Sequence, residues 1–387
     1  MFRVIHEPER GQRVPVRLWA RDASPDTVRQ LQRLASQPYV TEFVAGMADA
    51  HVSEGVAVGS VFATERTVVP RALGGDLGCG MSARRIAVDP DALDRRALQT
   101  LVRDLERAIP TGDATHTGRG VSVPEALLTA PLSTGALEHA REALSRRHLG
   151  TLGGGNHFIE IDRDADGGLW LLVHSGSRGL GAAIAHHHAQ AAAAGAPSGD
   201  LPGLDVESAS GAAYMRDLAW ALDFARANRR SLEARALEVI GNMLAVRLNA
   251  EDGIDVHHNF VAQEDWCGRE LFIHRKGAVA VPPGALALVP GSMGTASYVV
   301  EGLGAADSFG SCSHGAGRVM SRKEARARVH PRALASSMRR VVYPEHLARQ
   351  LVEEAPAAYR DIGEVLDEQK DLVHRRVRLE PVAVLKG

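Results

Sequence analysis

The chain has 387 residues, 45% of them hydrophobic and 24% charged, enough to bury a sizeable core. A formal net charge of −2 argues against a protein that coats nucleic acid non-specifically, and an aromatic content of 4% argues against broad stacking platforms for single strands. Three cysteines (Cys79, Cys267, Cys312) are too few for a disulfide framework. The first residues hold no apolar core of signal-peptide length, and no stretch approaches the ~18 apolar residues of a membrane span, so a soluble, cytoplasmic protein is expected.

In chain order, Ser24-Pro25-Asp26 predicts a helix start, with serine capping and proline in the first turn. A second helix is expected after Asp89-Pro90, through LDRRALQTLVRDLERAI, and a third from Thr134 through ALEHAREALSRR. The stretch between Ala183 and Gly203 reads as a frayed helix or mobile loop, with His186, His187 and His188 facing solvent. From Ser208 to Asn249 the pattern is helical, with a break near Asn228. Strand signals come in short bursts: LWLLVHSG, LFIHRKGAVAV, ALALVPGSM and SYVVEGL. Strands and helices alternate irregularly, which predicts a mixed α/β (α+β) chain, read as one large domain over residues 1–387. The basic run from Arg318 to Arg340 reads as a solvated helix face.

Five segments offer a metal-ligand or nucleophile side chain, four of them among glycines, which let a backbone approach a ligand closely. GGDLGCGM offers Asp76 and Cys79, GGNHF offers His157, HSGSRG offers His174, HHNF offers His258, and SHGAGR offers His314. Asp76, Cys79, His157, His174 and His258 are more ligands than one ion takes while leaving positions open for substrate, so two ions sharing a ligand are expected. Asp255 is near enough in sequence to orient a ligating imidazole. Pro290 to Gly294 (PGSMG) has the small, hydroxyl-rich character of an anion-binding loop, although no Walker motif is present. His314 stands before what reads as a helix start, with Arg318 able to pair with a phosphate. Spacing leaves it open whether His314 is a fifth ligand, a general base or a covalent nucleophile.

Taken together, GGDLGCGM, GGGNHFIE, HSGSRG, HHNF, HRKGA, PGSMGTAS and SHGAGRVMSR resemble, in order, the motifs of the RtcB family of RNA-splicing ligases. The resemblance runs from MADAHVSEG at Met47 to the terminal PVAVLKG. It implies an RtcB-like fold, with central mixed or antiparallel sheets flanked by helices. It also implies a reaction that uses GTP and two Mn²⁺ ions to join an RNA 3′-phosphate or 2′,3′-cyclic phosphate end to a 5′-hydroxyl end, in tRNA splicing or RNA repair. Carried over by motif, His314 becomes the guanylated nucleophile, and Asp76, Cys79, His157, His174 and His258 become the manganese ligands. Asn156, His157, Phe158, Ile159, Glu160, His258, Asn259, Pro290, Gly291, Ser292, Met293, Ser297, His314, Gly315, Ala316, Gly317, Tyr359 and Lys386 would surround the nucleotide. The resemblance alone promotes Lys386, which sequence position would otherwise leave as a frayed terminus. A monomer is expected, and the need for an archease-type activator is left open. The chain departs from the family pattern at Met47-Ala48-Asp49, which lacks the usual proline, and at Val279, where threonine is common. These departures leave a second reading, a 3′-end-capping guanylyltransferase or metal-dependent phosphoesterase that does not ligate. A third is a catalytically silent RNA-binding protein that keeps the nucleotide pocket.

Overall fold

A computed structural model of the chain describes residues 1–118, 120–194, 201–248 and 253–387. Its chemistry-bearing segments follow from one seven-stranded sheet. In spatial order the strands are Ile254–His257, Gly80–Ile86, Leu169–Ser175, Phe158–Arg163, Val373–Lys386, Ser297–Gly302 and Leu286–Val289, each antiparallel to its neighbour. Register is the important quantity here. Gly80 pairs with His257 and with Ser175, His174 with Phe158, and Phe158 with Lys386. One edge of the sheet therefore collects the ends of five strands that are remote in sequence, and the chain's last strand finishes among them.

A six-stranded sheet runs Arg3–Ile5, Val16–Leu18, Val40–His51, Val58–Thr64, Arg269–Lys276 and Asn259–Trp266. Its pairs are antiparallel except Val16–Leu18 with Val40–His51. A small antiparallel pair, Ala278–Ala280 with Ser311–Ser313, delivers the segment that carries His314. The expected mixed α+β class is what the chain adopts.

The seven-stranded sheet is buried on both faces, as the period of two along its strands requires. Ile159, Ile161, Leu171 and Val173 point into a core shared with the helices Arg95–Ala108 and Ala209–Leu244. Phe158, Leu172 and Val384 point the other way, against Leu334, Met338 and Val352. At about 0.8 kcal/mol per buried methylene, each of these side chains contributes a few kcal/mol to holding the site's floor in place.

The first and third expected helices form as read. Ser24 Oγ accepts from the Thr27 N–H, and Thr134 Oγ1 from the Leu137 N–H. The second starts later than expected: Pro90–Ala92 is only a single turn, and Asp94 caps the true helix Arg95–Ala108. No break occurs at Asn228. A single helix runs from Ala209 to Leu244; it stops short of the expected Asn249, because Ala245 turns left-handed at φ 54 and residues 246–248 are not helical, while Asn249 itself lies outside the described residues. Asparagine is a poor helix former in isolation, but here the amide is fully buried. It donates to Thr151 O, Gly176 O and Ser175 Oγ while accepting from the Gly150 N–H, so tertiary bonds override propensity. The alanine- and histidine-rich stretch is helical through Ala193, as the end of the helix Arg178–Ala193, and coil at residues 201–203; its residues 195–200 lie outside the described residues. Within it His186 is exposed, but His188 is buried and 2.7 Å from Asp217, contrary to the solvent-facing expectation. The basic run is two short helices, Arg322–Arg328 and Pro331–Ser337, and His314 lies eight residues before the first rather than at a helix start.

Candidate functional site

The five segments singled out from the sequence meet at the strand-end edge of the seven-stranded sheet. Cys79 Sγ lies 3.4 Å from His157 Nε2 and 3.3 Å from His174 Nε2. His174 Nε2 lies 3.1 Å from His258 Nε2, and His157 Nε2 lies 3.1 Å from Asp76 Oδ2. The atoms divide into two triads that share the cysteine: Cys79, His174, His258 and Asp76, Cys79, His157.

The other ring nitrogens explain why these atoms face one another. His157 Nδ1 is 2.8 Å from Leu152 O, His174 Nδ1 is 3.2 Å from Asn156 O, and His258 Nδ1 is 3.2 Å from Asn259 Oδ1. Each partner is an acceptor, so each imidazole carries its proton on Nδ1 and turns an Nε2 lone pair inward. Burial, reinforced by neighbouring histidines, lowers the pKa of His174 and His258 well below the ordinary value and keeps both rings neutral. Burial works against ionisation of Asp76, yet its polar neighbours hold the carboxyl at about 2, so it adds an anionic oxygen. Three lone pairs, a sulfur and a carboxylate thus converge with nothing positive among them. That donor set fits divalent transition-metal ions, with a shared sulfur suited to two of them. Asp255 does not orient His258 as expected. It pairs with the buried guanidinium of Arg229, which also donates to Gly78 O and Ser175 O and so ties two ligand segments together.

His314 closes the other side of this cluster, its ring 4.7 Å from that of His258. Its Nδ1 is 2.7 Å from Asp49 Oδ2, and its backbone N–H donates to the same oxygen at 3.2 Å. Asp49 is fully buried, so His314 is pinned with Nε2 free: that nitrogen has no hydrogen bond among the described residues. Gly317 holds Asp49 from behind, at φ +71, where a Cβ would come within 2.6 Å of Asp49 O. Sequence reasoning quoted Asp49 within MADAH but assigned it no role. An acid flanked by alanines, after the apolar and glycine run 43–48, was the available signal.

A cavity of about 290 Å³ opens over His174, His258 and His314. Of the residues expected around a nucleotide, Asn156, Phe158, Glu160, His258, Asn259, Pro290, Gly291, Ser292, Met293, His314, Gly315, Ala316, Gly317, Tyr359 and Lys386 line it. Three do not. Ile159 points to the opposite face of its strand, into the apolar core. His157 sits behind the cavity in the donor cluster, and Ser297 is fully buried outside the lining. Lys386 is ordered by strand pairing rather than frayed. Its Nζ donates to Asn156 O at 3.1 Å, stands 3.3 Å from Glu354 and lies 5.5 Å above the Phe158 ring.

Glu354, unmarked by any motif, proves to be a hub. It receives Tyr359 Oη at 2.5 Å and Arg318 Nη1 at 3.1 Å as well as Lys386. Burial disfavours its charge, but Lys386, Tyr359 and Arg318 together keep its pKa below the ordinary value. Arg318 is therefore committed to the protein, donating also to Glu353 O and Met320 O, rather than held out for a phosphate. Glu160 is pushed the other way, well above the usual carboxyl range, by burial and by Asp162 beside it.

The fold and this strand-end cavity define a mixed α+β protein built around a histidine–cysteine–carboxylate donor cluster with a carboxylate-pinned histidine at its rim. The chain belongs to the tRNA-splicing ligase RtcB family, whose model matches residues 30–387. It is similar to the RNA-splicing ligase RtcB of Escherichia coli (strain K12), with 34% identity over 97% of this chain and 98% of that protein. It is also similar to the RNA-splicing ligase RtcB of Mycobacterium tuberculosis, with 31% identity over 92% of this chain and 100% of the relative. For the tRNA-splicing ligase RtcB of Thermococcus kodakarensis the figures are 28% identity, 98% of this chain and 96% of the relative. Among the described residues no helix is long and apolar enough to cross a membrane.

Proposed function

We propose that this chain is a GTP-dependent RNA ligase that joins a 3′-phosphate or 2′,3′-cyclic phosphate end to a 5′-hydroxyl end through a guanylate carried on His314. The observation that carries this reading is His314 itself: Nδ1–H is donated to buried Asp49, and Nε2 is left free beside five convergent metal-donor atoms. The names of the relatives, RNA-splicing and tRNA-splicing ligases, supply the substrate class.

In this reading Asp76, Cys79, His157, His174 and His258 hold two Mn²⁺ ions. Bound there, the ions offset the charge that develops on phosphate oxygens and leaving group. His314 Nε2 attacks the α-phosphorus of GTP; an N–P bond forms, the α–β phosphoanhydride bond breaks and pyrophosphate leaves. Asp49 keeps the proton on Nδ1, so the attacking nitrogen needs no deprotonation. An oxygen of the RNA 3′-phosphate then attacks the same phosphorus, breaking the N–P bond, regenerating His314 and leaving a 3′-diphosphoguanosine end. The 5′-hydroxyl attacks the RNA 3′-phosphate, a phosphodiester forms and GMP departs. A cyclic phosphate end is first opened by water. Glu160 and Phe158, beside Lys386, form the guanine side of the pocket.

Incubation with Mn²⁺ and α-labelled GTP should leave an acid-labile, base-stable label on the protein, absent from His314→Ala. With a 3′-phosphate strand and a 5′-hydroxyl strand, product longer than either input is expected. Labelled His314→Ala, or a wild-type protein that caps without joining, overturns the reading.

A further inference from the structure

Two arginines of the basic run, which as a sequence looks like a plain solvated face, line a walled cleft. Arg322 lines the central cavity. Arg326, one turn further along the same short helix, lines a separate cleft of about 550 Å³. Arg332, from the next helix, and Arg349, from the turn Ala348–Leu351, complete its basic walls beside His330. Glu353 links the two openings, since it pairs with Arg326 and stands 3.7 Å from Arg322. Arg332 and Arg349 are exposed and have no ion pair among the described residues. Between positions 318 and 349 the chain has nine arginines and lysines against two glutamates, although the whole protein has 45 basic against 47 acidic residues. Such a local excess on a near-neutral chain is the electrostatic footprint of a polyanion rather than a by-product of composition. No large hydrophobic side chain is exposed between Arg322 and Val352, so the face lacks the apolar anchors of a membrane surface.

We propose that the cleft walled by Arg326, Arg332 and Arg349 is the docking track for the sugar–phosphate backbone of the RNA strand whose end reaches His314. This inference rests on the ligase reading, and it adds the path of the strand. Guanidinium groups pair with phosphates without reading sequence, so the track fits an RNA of any sequence. Because Arg322 stands at the mouth of the central cavity, a strand lying along the arginines enters that cavity end-first.

The test is the salt dependence of binding to a 3′-phosphate RNA oligonucleotide in the full-length protein. Each neutralised phosphate contributes a slope of about 0.7 in log affinity against log salt for single strands, so Arg332→Gln with Arg349→Gln should flatten the slope by about 1.4. The KM for a long RNA should rise roughly tenfold at low salt, and a dinucleotide substrate, too short to follow the track, should be little affected. The control is Arg29→Gln with Arg33→Gln on the helix Pro25–Ala35, which removes the same charge beside the other sheet. Thermal melting confirms that both variants fold. A wild-type slope in the cleft variant, an equal loss in the control, or tighter binding to anionic vesicles than to RNA each overturns the track. Arginine-dependent RNA binding by a wild-type protein that never joins ends would leave the track standing and overturn the ligase reading instead.

Discussion

Asp49→Asn separates the chemistry of His314 from its binding surroundings. The substitution keeps the shape of a fully buried side chain that does not line the cavity. It removes the charge from an oxygen that receives two N–H groups of His314, at 2.7 and 3.2 Å. Hydrogen bonds to charged groups contribute about 1.5–3 kcal/mol and neutral ones about 1, so if the amide oxygen still faces Nδ1 the loss is about 1–2 kcal/mol. That corresponds to roughly 5- to 30-fold in the rate of self-guanylylation. If the amide nitrogen turns to Nδ1 instead, the ring proton moves to Nε2 and blocks the nucleophile, and the loss can approach ~10⁴-fold. Asp49 Oδ1 has no hydrogen-bond partner among the described residues, so an NH₂ placed there costs about 1–3 kcal/mol of stability, readable as a lower melting temperature. Single-turnover labelling with α-labelled GTP across a nucleotide series measures the effect. The maximal rate constant should fall while the half-saturating GTP concentration stays within about twofold, because the nucleotide's own contacts are untouched. An unchanged maximal rate, or a loss confined to half-saturation, would refute the claim that Asp49 holds the tautomer.

The shared sulfur makes the metal site asymmetric to mutation. His157→Ala should retain one tightly held Mn²⁺ of two after desalting, whereas Cys79→Ala should lose both; equal stoichiometries in the two variants count against the two-triad arrangement. At Gly176 an added methyl would overlap the Asp76 carboxylate, so Gly176→Ala should weaken Mn²⁺ binding by at least tenfold in a titration and leave the far-ultraviolet dichroism unchanged; wild-type affinity would show that the loop shifts freely. Burial lowers the pKa of Lys276 to about 8, against 10.5 for an unperturbed lysine. The unfolded chain therefore holds that proton more tightly. The penalty is full below pH 8, shrinks between about 8 and 10.5, and vanishes above. Relative to Lys276→Met, the wild type should gain roughly 2–3 kcal/mol of stability between pH 7 and pH 10, measured by denaturant melts; a constant difference would place the amine in water.

That Asp76, Cys79, His157, His174 and His258 gather in one cluster was foreshadowed in the sequence because most of them are rare side chains near glycines, and small neighbours survive as a local signal. The fold class was legible from irregular alternation, and the strand bursts fell where the sheets are. What holds the ligands was not legible. Asn228 looks like a helix breaker in one dimension, since its four partners lie 52 to 78 residues away. Closeness in sequence offers Asp255 to the ligand candidate His258, whereas the guanidinium of Arg229 on the long helix claims it. Glu354 carries no motif at all, and only the fold brings Arg318, Tyr359 and Lys386 to it. Periodicity shows which face a residue takes, as Ile159 demonstrates by sharing a motif with Glu160 and turning its back on the cavity.

The pairing of Asn228 and Arg229 on one long helix also bears on how the molecule assembles. Arg229 reaches Gly78 O across 151 residues and Ser175 O across 54. Arg229 ties both the Asp76–Cys79 loop and the His174 strand end to that helix, and contacts of such sequence separation require loop closure first. A chain emerging from the ribosome therefore possesses every donor atom long before it possesses the site. On the two-metal reading proposed above, metal capture would follow that docking, so a metal-sensitive probe followed during refolding would report when the helix and the ligand segments come together.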